Sequence, residues 1–352
     1  MLRWRGGYVA VGAPVESGEA SRTPMWVSAD GGTWHPLDAG VLGPATIVLG
    51  LAETAEGIVA ITLHGGRNQC DDSEAQLRAS CWTPNLPLEA WTSPDGVSWA
   101  AHPGPKIALR FEEDIGVDPP IFRAGAPGLL VALNGQEEPR AATSPDGVSW
   151  EVLPVRSFSA QFGFGDNVGA FRPGFVAVGE EAVGDTIRAV APTSSDGRHW
   201  TSQRLPAAGF APGWIPAGYG TSASRLVVGP AGIIAQGGVA AAPGGELWWS
   251  SLDGRTWKPL PGFPPLGISF GGEAGSGLSP NGNLLGNGER MLAYRSEGNH
   301  AAWTSFDGRS WRRLAISGGP PPSEPGVAAI LMPVGLMWIG LDGSTWLGEP
   351  VT

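Results

Sequence analysis

Short apolar runs bounded by glycine and proline recur along the chain, and they alternate with a period of two rather than three to four. RGGYVAVG at Arg5 to Gly12, APGLLVALN at Ala126 to Asn134, RPGFVAVG at Arg172 to Gly179 and RLVVGPAGIIAQGG at Arg225 to Gly238 share this form. Each predicts a hairpin, because alternation turns one strand face toward a core. In the last run a Gly229-Pro230-Ala231-Gly232 turn separates two strands, A and B. A strand C is expected at each Trp-x-Ser, namely at Trp26, Trp91, Trp249 and Trp303.

A second pattern follows strand C and organises the whole chain. It reads SADGGTW ending at Trp34, SPDGVSW at Trp99 and again at Trp150, SSDGRHW at Trp200, SLDGRTW at Trp257, SFDGRSW at Trp311 and GLDGSTW at Trp346. The mean spacing of these tryptophans is 52 residues, room for four short strands and their turns. The expected fold is therefore all-β: a seven-bladed β-propeller with four-stranded antiparallel blades, residues 1–352 forming one domain. A six-bladed ring with an irregular final hairpin is the alternative. The first blade has only Met1 to Trp4 as strand A, and the last repeat is 35 residues long.

The chemistry of this box is structural. Glycine after aspartate supplies a positive φ, and the carboxylates of Asp30, Asp95, Asp146, Asp196, Asp253, Asp307 and Asp342 can accept hydrogen bonds from turn amides. The closing indole is expected on strand D, buried between blades, with its N–H bonded at the turn. Truncating Trp150 to alanine should then cost about 3–5 kcal/mol. His199 replaces the usual hydroxyl and Gly340 the usual serine, so those two turns should be less well satisfied.

This pattern resembles the Asp box, or bacterial neuraminidase repeat, of sialidases, sortilin-type receptors and photosystem II assembly factors. Here Asp and Gly are adjacent, a shortened form of the usual box. The resemblance implies a sialidase-like propeller in which the box hairpins lie away from the ligand face. It does not imply an activity. Sialidase chemistry would need an arginine triad, a tyrosine nucleophile and an acid–base carboxylate. Of Tyr8, Tyr219 and Tyr294 only Tyr219 falls in a long loop, and no Phe-Arg-Ile-Pro signature is present.

Composition narrows the picture. Gly 55 and Pro 33 make one residue in four, which argues against long helices, while 16 Trp and 42% hydrophobic residues exclude a disordered chain. The only helix-compatible stretch is near Asp71 to Ala79. A net charge of −11 makes nucleic acid and anionic membranes poor partners. No apolar run is long enough for a transmembrane segment. Cys70 and Cys81 sit in one polar stretch and are expected to form a disulfide, with free thiols the alternative and a metal site disfavoured for want of ligands. A bridge would place the protein outside the cytosol, extracellular or in the cell envelope, although no export signal is present in the sequence and its start could be truncated. A monomer is expected.

Ligand chemistry is expected in the long D–A connections: His102 to Pro120, Leu153 to Asn167, Leu205 to Ser224 and Leu260 to Ser279. They interleave rings and carboxylates, among them Phe111, Glu112, Glu113, Asp114, Asp118, Phe164, Asp166, Trp214 and Tyr219. Such a mixture suits a sugar or a peptide, though the same rings could plug the channel and the acidic run could be a solvated turn. Arg110, Arg156 and Arg225 are the candidates for a carboxylate clamp. No catalytic residue, metal site or cofactor is assigned. The readings in view are a non-enzymatic exported module that binds carbohydrate or protein, a sialidase-like glycoside hydrolase, and an assembly factor for a membrane complex.

Overall fold

A computed structural model describes residues 2–5, 7–12, 15–17, 20–31, 33–38, 40–43, 46–64, 86–109, 121–125, 128–133, 140–153, 168–171, 174–184, 186–208, 221–239, 246–260, 283–286, 290–295, 301–314, 328–332, 335–339 and 345–348. The fold is all-β, with no helix among these residues. Strands follow one another as antiparallel meanders, the form of propeller blades.

The chain divides into two compact units. The first comprises Met1–Ala160 with Ser194–Trp200. It holds three four-stranded sheets, whose strands are lettered A to D in chain order. The first sheet is Leu2–Trp4, Gly7–Val11, Met25–Ser28 and His35–Pro36. The second is Thr46–Glu53, Ile58–His64, Leu86–Ser93 and Ala100–Leu109, and the third Ile121–Gly125, Gly128–Leu133, Arg140–Ser144 and Glu151–Leu153.

The second unit comprises Gln161–Thr193 with Thr201–Thr352. In the fourth sheet, Val168–Ala170 and Phe175–Ala177 pair with a short C strand at Thr193–Ser194, and an isolated Thr193–Thr201 bridge stands where strand D would be. The fifth sheet is Thr221–Val228, Ile233–Val239, Glu246–Ser251 and Trp257–Pro259; the sixth is Asn283–Gly286, Met291–Arg295, Ala301–Ser305 and Arg312–Leu314. A seventh has three strands, Ala328–Met332, Gly335–Ile339 and Thr345–Gly348. Two extra hairpins, Val15–Ser17 with Ala20–Arg22 and Gly179–Val183 with Thr186–Val190, occupy B–C connections.

The A and B strands predicted around Gly229 to Gly232 are present, Val228 pairing with Ile233, and the Trp-x-Ser segments form strand C. Two expectations are corrected. Trp34, Trp99, Trp150, Trp200 and Trp311 close the box turn outside any strand, whereas Trp257 and Trp346 lie on strands as expected. His102 to Leu109 is not loop: strand D of the second sheet continues through it. Its prolines are tolerated because this is a sheet edge with a register shift between Pro103 and Ala108. Thr221 to Ser224 likewise belongs to a strand.

The core lies between successive sheets. In the first unit Val59 and Ile61 pack with Leu129, Val131 and Ala142. In the second, Val176 and Val178 pack with Ile233, Leu247 and Trp249, the last fully buried. Burying such side chains contributes roughly 1.5–3 kcal/mol each.

Candidate functional site

Each described box is a hydrogen-bonded turn. In the second sheet, Oδ1 of Asp95 accepts from the Val97 and Ser98 amides at 2.8 and 2.6 Å, and Oδ2 accepts from the Ser98 hydroxyl at 2.9 Å. The Ser93 hydroxyl donates to Oδ1 at 3.2 Å and accepts from the Gly96 amide at 2.8 Å. Gly96 has a φ of 74°, the left-handed conformation this turn requires. The Trp99 indole N–H donates to the Gly96 carbonyl at 3.1 Å. The same indole bond occurs at Trp34, Trp150, Trp200, Trp257 and Trp311.

These bonds set the acidity of the box. Amide donation from Ser98 and then Val97 holds Asp95 down at about 2. At Asp253 burial pushes the pKa up, but donation from Thr256 and Arg255 outweighs it and leaves the group at about 2. Asp146 and Asp307 are lowered against the same burial effect. In the fourth box the expected weak turn is corrected: the His199 ring nitrogen lies 2.7 Å from Oδ2 of Asp196, where a hydroxyl stands elsewhere. Burial raises Asp196, and the amide and ring of His199 more than reverse it. Both carboxylate oxygens of Asp95, Asp196, Asp253 and Asp307 are engaged by their own turns.

The box glycines also touch the preceding sheet. A Cβ on Gly96 would lie 3.3 Å from Val9, one on Gly147 2.5 Å from Val59, and one on Gly308 2.7 Å from Ile234. Val9, Val59 and Ile234 all stand on strand B of the sheet before. The hairpins therefore act as braces between neighbours.

At the opposite ends of the strands lie the B–C and D–A connections. In the second unit Arg204 pairs with Glu181 there at 3.1 Å, both half-exposed. The Trp249 indole donates to the Pro206 carbonyl at 2.8 Å, and the Thr221 hydroxyl accepts from the Ala189 amide at 3.1 Å. The first bond ties the start of the fourth D–A connection to the fifth sheet, and the second ties the Thr186–Val190 strand of the B–C hairpin to it. Glu181 and Arg204 carried no sequence signal beyond charge, because their meeting depends on the Gly179–Val190 hairpin.

Of the candidate ligand residues, only Arg225 is placed. It is partly buried in strand A of the fifth sheet, opposite Gln236 and just past a register shift at Ala223, and is not a loop residue. Arg110, Phe111, Glu112, Glu113, Asp114, Asp118, Arg156, Phe164, Asp166, Trp214 and Tyr219 lie outside the described residues. So do Cys70, Cys81, the Asp71 to Ala79 stretch, Gly340 and Asp342. Among the described residues no three His, Cys, Asp or Glu side chains gather to hold a metal ion. No helix among them is long and apolar enough to cross a membrane.

No protein-family model and no curated protein matches the chain. Similar solved structures include an α-L-arabinofuranosidase, Arb93A of Fusarium graminearum, in complex with an iminosugar inhibitor: 12% identity, 87% of this chain, 92% of that one, TM-score 0.37. YCF48 bound to D1 peptide is 12% identical over 99% of this chain and 94% of that one, with a TM-score of 0.43. A glycosyl hydrolase from Bacteroides ovatus is 15% identical over 74% and 85%, with a TM-score of 0.32. The chemistry of the present site rests on its own residues.

Proposed function

We propose that the repeats close into one seven-bladed propeller domain of the Asp-box type, an exported, monomeric binding module whose D–A loop face takes a carbohydrate or protein ligand. The observation that supports this reading is the consumption of the box carboxylates by their own turns. With both oxygens of Asp95 and Asp253 held in their turns, the C–D hairpins serve as braces, and ligand chemistry falls to the connections at the other end of the strands. Those connections carry Phe111 to Asp118, Phe164 to Asp166 and Trp214 to Tyr219, where rings can stack on a sugar or a peptide while carboxylates accept its hydroxyl or amine protons.

A glycan array and a pull-down on the wild-type chain identify the ligand, and the Trp214→Ala, Tyr219→Ala double variant tests the face. Binding should weaken while the melting temperature stays nearly unchanged, since loop rings contribute little to the core. The reverse pattern, lost stability with binding retained, would assign the rings to plugging the channel. Turnover of a fluorogenic sialoside would replace the binding-module reading with a hydrolase.

A further inference from the structure

Because the boxes at Gly96, Gly147 and Gly308 lean on the sheet before them, three positions recur along the grooves between successive sheets of one unit. They are the residue after the earlier box tryptophan, the residue after the later box glycine, and the second residue after the later box tryptophan. Between the second and third sheets these are Ala100, Val148 and Val152, the two valines 41% and 45% exposed. Within the first unit, the third sheet and hairpin Ser194–Trp200 place Glu151 and Arg198 at the first two positions, and they form an ion pair. Between the fifth and sixth sheets the three are Lys258, Arg309 and Arg313, all exposed cations.

The three positions line one groove. Ile234, Ser250 and Lys258 stand directly opposite one another across strands B, C and D of the fifth sheet, hence on one face. That face looks at the sixth sheet, since Ile234 and Trp248 pack with Met291 and Ala293. From the other side, Nε of Arg309 donates to the Ser250 hydroxyl at 3.1 Å. Arg313 stands opposite Trp303, and Trp303 and Trp311 pack against the same cluster, so Arg313 faces the fifth sheet. Leu260 and the two indoles, all partly buried, form the floor.

Among the described residues no carboxylate pairs with Lys258, Arg309 or Arg313. Asp307 nearby has both oxygens engaged by its own turn. Three exposed cations therefore line this groove, whereas the two sets of positions named above hold valines and an ion pair, on a chain of net charge −11. Like charges gathered in a groove with an apolar floor repel unless an anion joins them.

We propose that this groove binds an acidic polysaccharide, with carboxylate or sulfate groups held by Lys258, Arg309 and Arg313 and a sugar ring set against Trp303 and Trp311. Both D strands are sheet edges, so a linear chain can lie along the groove from outside. The indole faces favour a pyranose over an acidic peptide, which has no rigid apolar ring face to offer. A nucleic acid would bring its dense phosphate charge against the acidic remainder of the surface. The site is separate from the loop face and stands without it.

The test uses the intact chain, titrated by calorimetry with an oligogalacturonate, dextran sulfate, neutral dextran and polyglutamate. Either or both acidic polysaccharides should bind, the pattern telling carboxylate from sulfate, and binding should weaken with added salt without vanishing. Lys258→Glu recreates the Glu151–Arg198 arrangement, so it should keep the melting temperature while weakening binding about tenfold or more. Arg313→Val should act in the same direction, and Arg198→Ala, outside the groove, should change nothing. The proposal is overturned if neither acidic polysaccharide binds, if neutral dextran binds as well, or if folded Lys258→Glu binds like the wild type. Polyglutamate binding at equal or higher affinity would assign the groove to an acidic peptide instead.

Discussion

Replacing Gly147 by alanine tests the bracing role of the box most directly. Two costs add. Gly147 has a φ of 81°, a conformation that costs an L-residue about 1–2 kcal/mol. The new methyl would also stand 2.5 and 2.8 Å from the two γ-carbons of Val59, a residue 1% exposed in the preceding sheet. Forcing a methyl into such a contact costs about 1–3 kcal/mol. The expected loss is therefore about 2–5 kcal/mol. Gly184 supplies the reference, because its φ is 61° and a Cβ there would meet nothing within 4 Å. Gly184→Ala should lose only the conformational part. Urea unfolding of both variants gives the comparison, and Val59→Ala in the Gly147→Ala background should return about 1 kcal/mol or more as coupling between the two sites. If Gly147→Ala loses no more than Gly184→Ala, or if Val59→Ala adds its full cost on top, the box does not brace the neighbouring sheet.

Other expectations follow from the same geometry. The box carboxylates are depressed, so their stabilisation is complete above the unfolded value of 3.8 and is lost as pH falls through the folded value of about 2. The thermal midpoint should hold down to about pH 4 and drop below it, and Asp95→Asn should flatten that acid limb; an equally steep limb in the variant would contradict the assignment. Trp249→Ala should cost about 3–5 kcal/mol, whereas Trp150→Ala, partly buried and bonded to the Gly147 carbonyl, should cost about 1–2 kcal/mol. Equal losses in denaturant would show that the indoles share one role. Mass spectrometry of unreduced protein should show Cys70 joined to Cys81, and two alkylatable thiols would remove both the bridge and the argument for export.

The meander was legible because its signals are local. Alternation before Gly-Pro-Ala-Gly marks strands A and B, Trp-x-Ser marks C, and Asp-Gly marks the turn. What escaped depends on partners distant in the chain. Strand D of the second sheet runs through Pro103 and Pro105 because its outer side needs no ladder bonds, which prolines in a sequence do not announce. His199 looked like a defect until its ring was seen to reach Asp196. The groove of Lys258, Arg309 and Arg313 was invisible for a similar reason, since three cations spread over more than 50 residues come to line one groove only through sheet register.

The overlap of each hairpin with the sheet before it has a consequence for synthesis on the ribosome. Val59 is covered by Gly147, which emerges 88 residues later. At about 5–20 residues per second that is a delay of roughly 4–18 s. Strand D of that sheet ends at Leu109, so in the later part of the interval a completed four-stranded sheet presents an apolar face, which only the arrival of the next repeat retires. Nascent chains of this protein thus carry one open face at a time, travelling toward the C-terminus. A chaperone that follows the growing chain would find its binding site renewed with every repeat, and a pause just before a box would be the most hazardous place to stop.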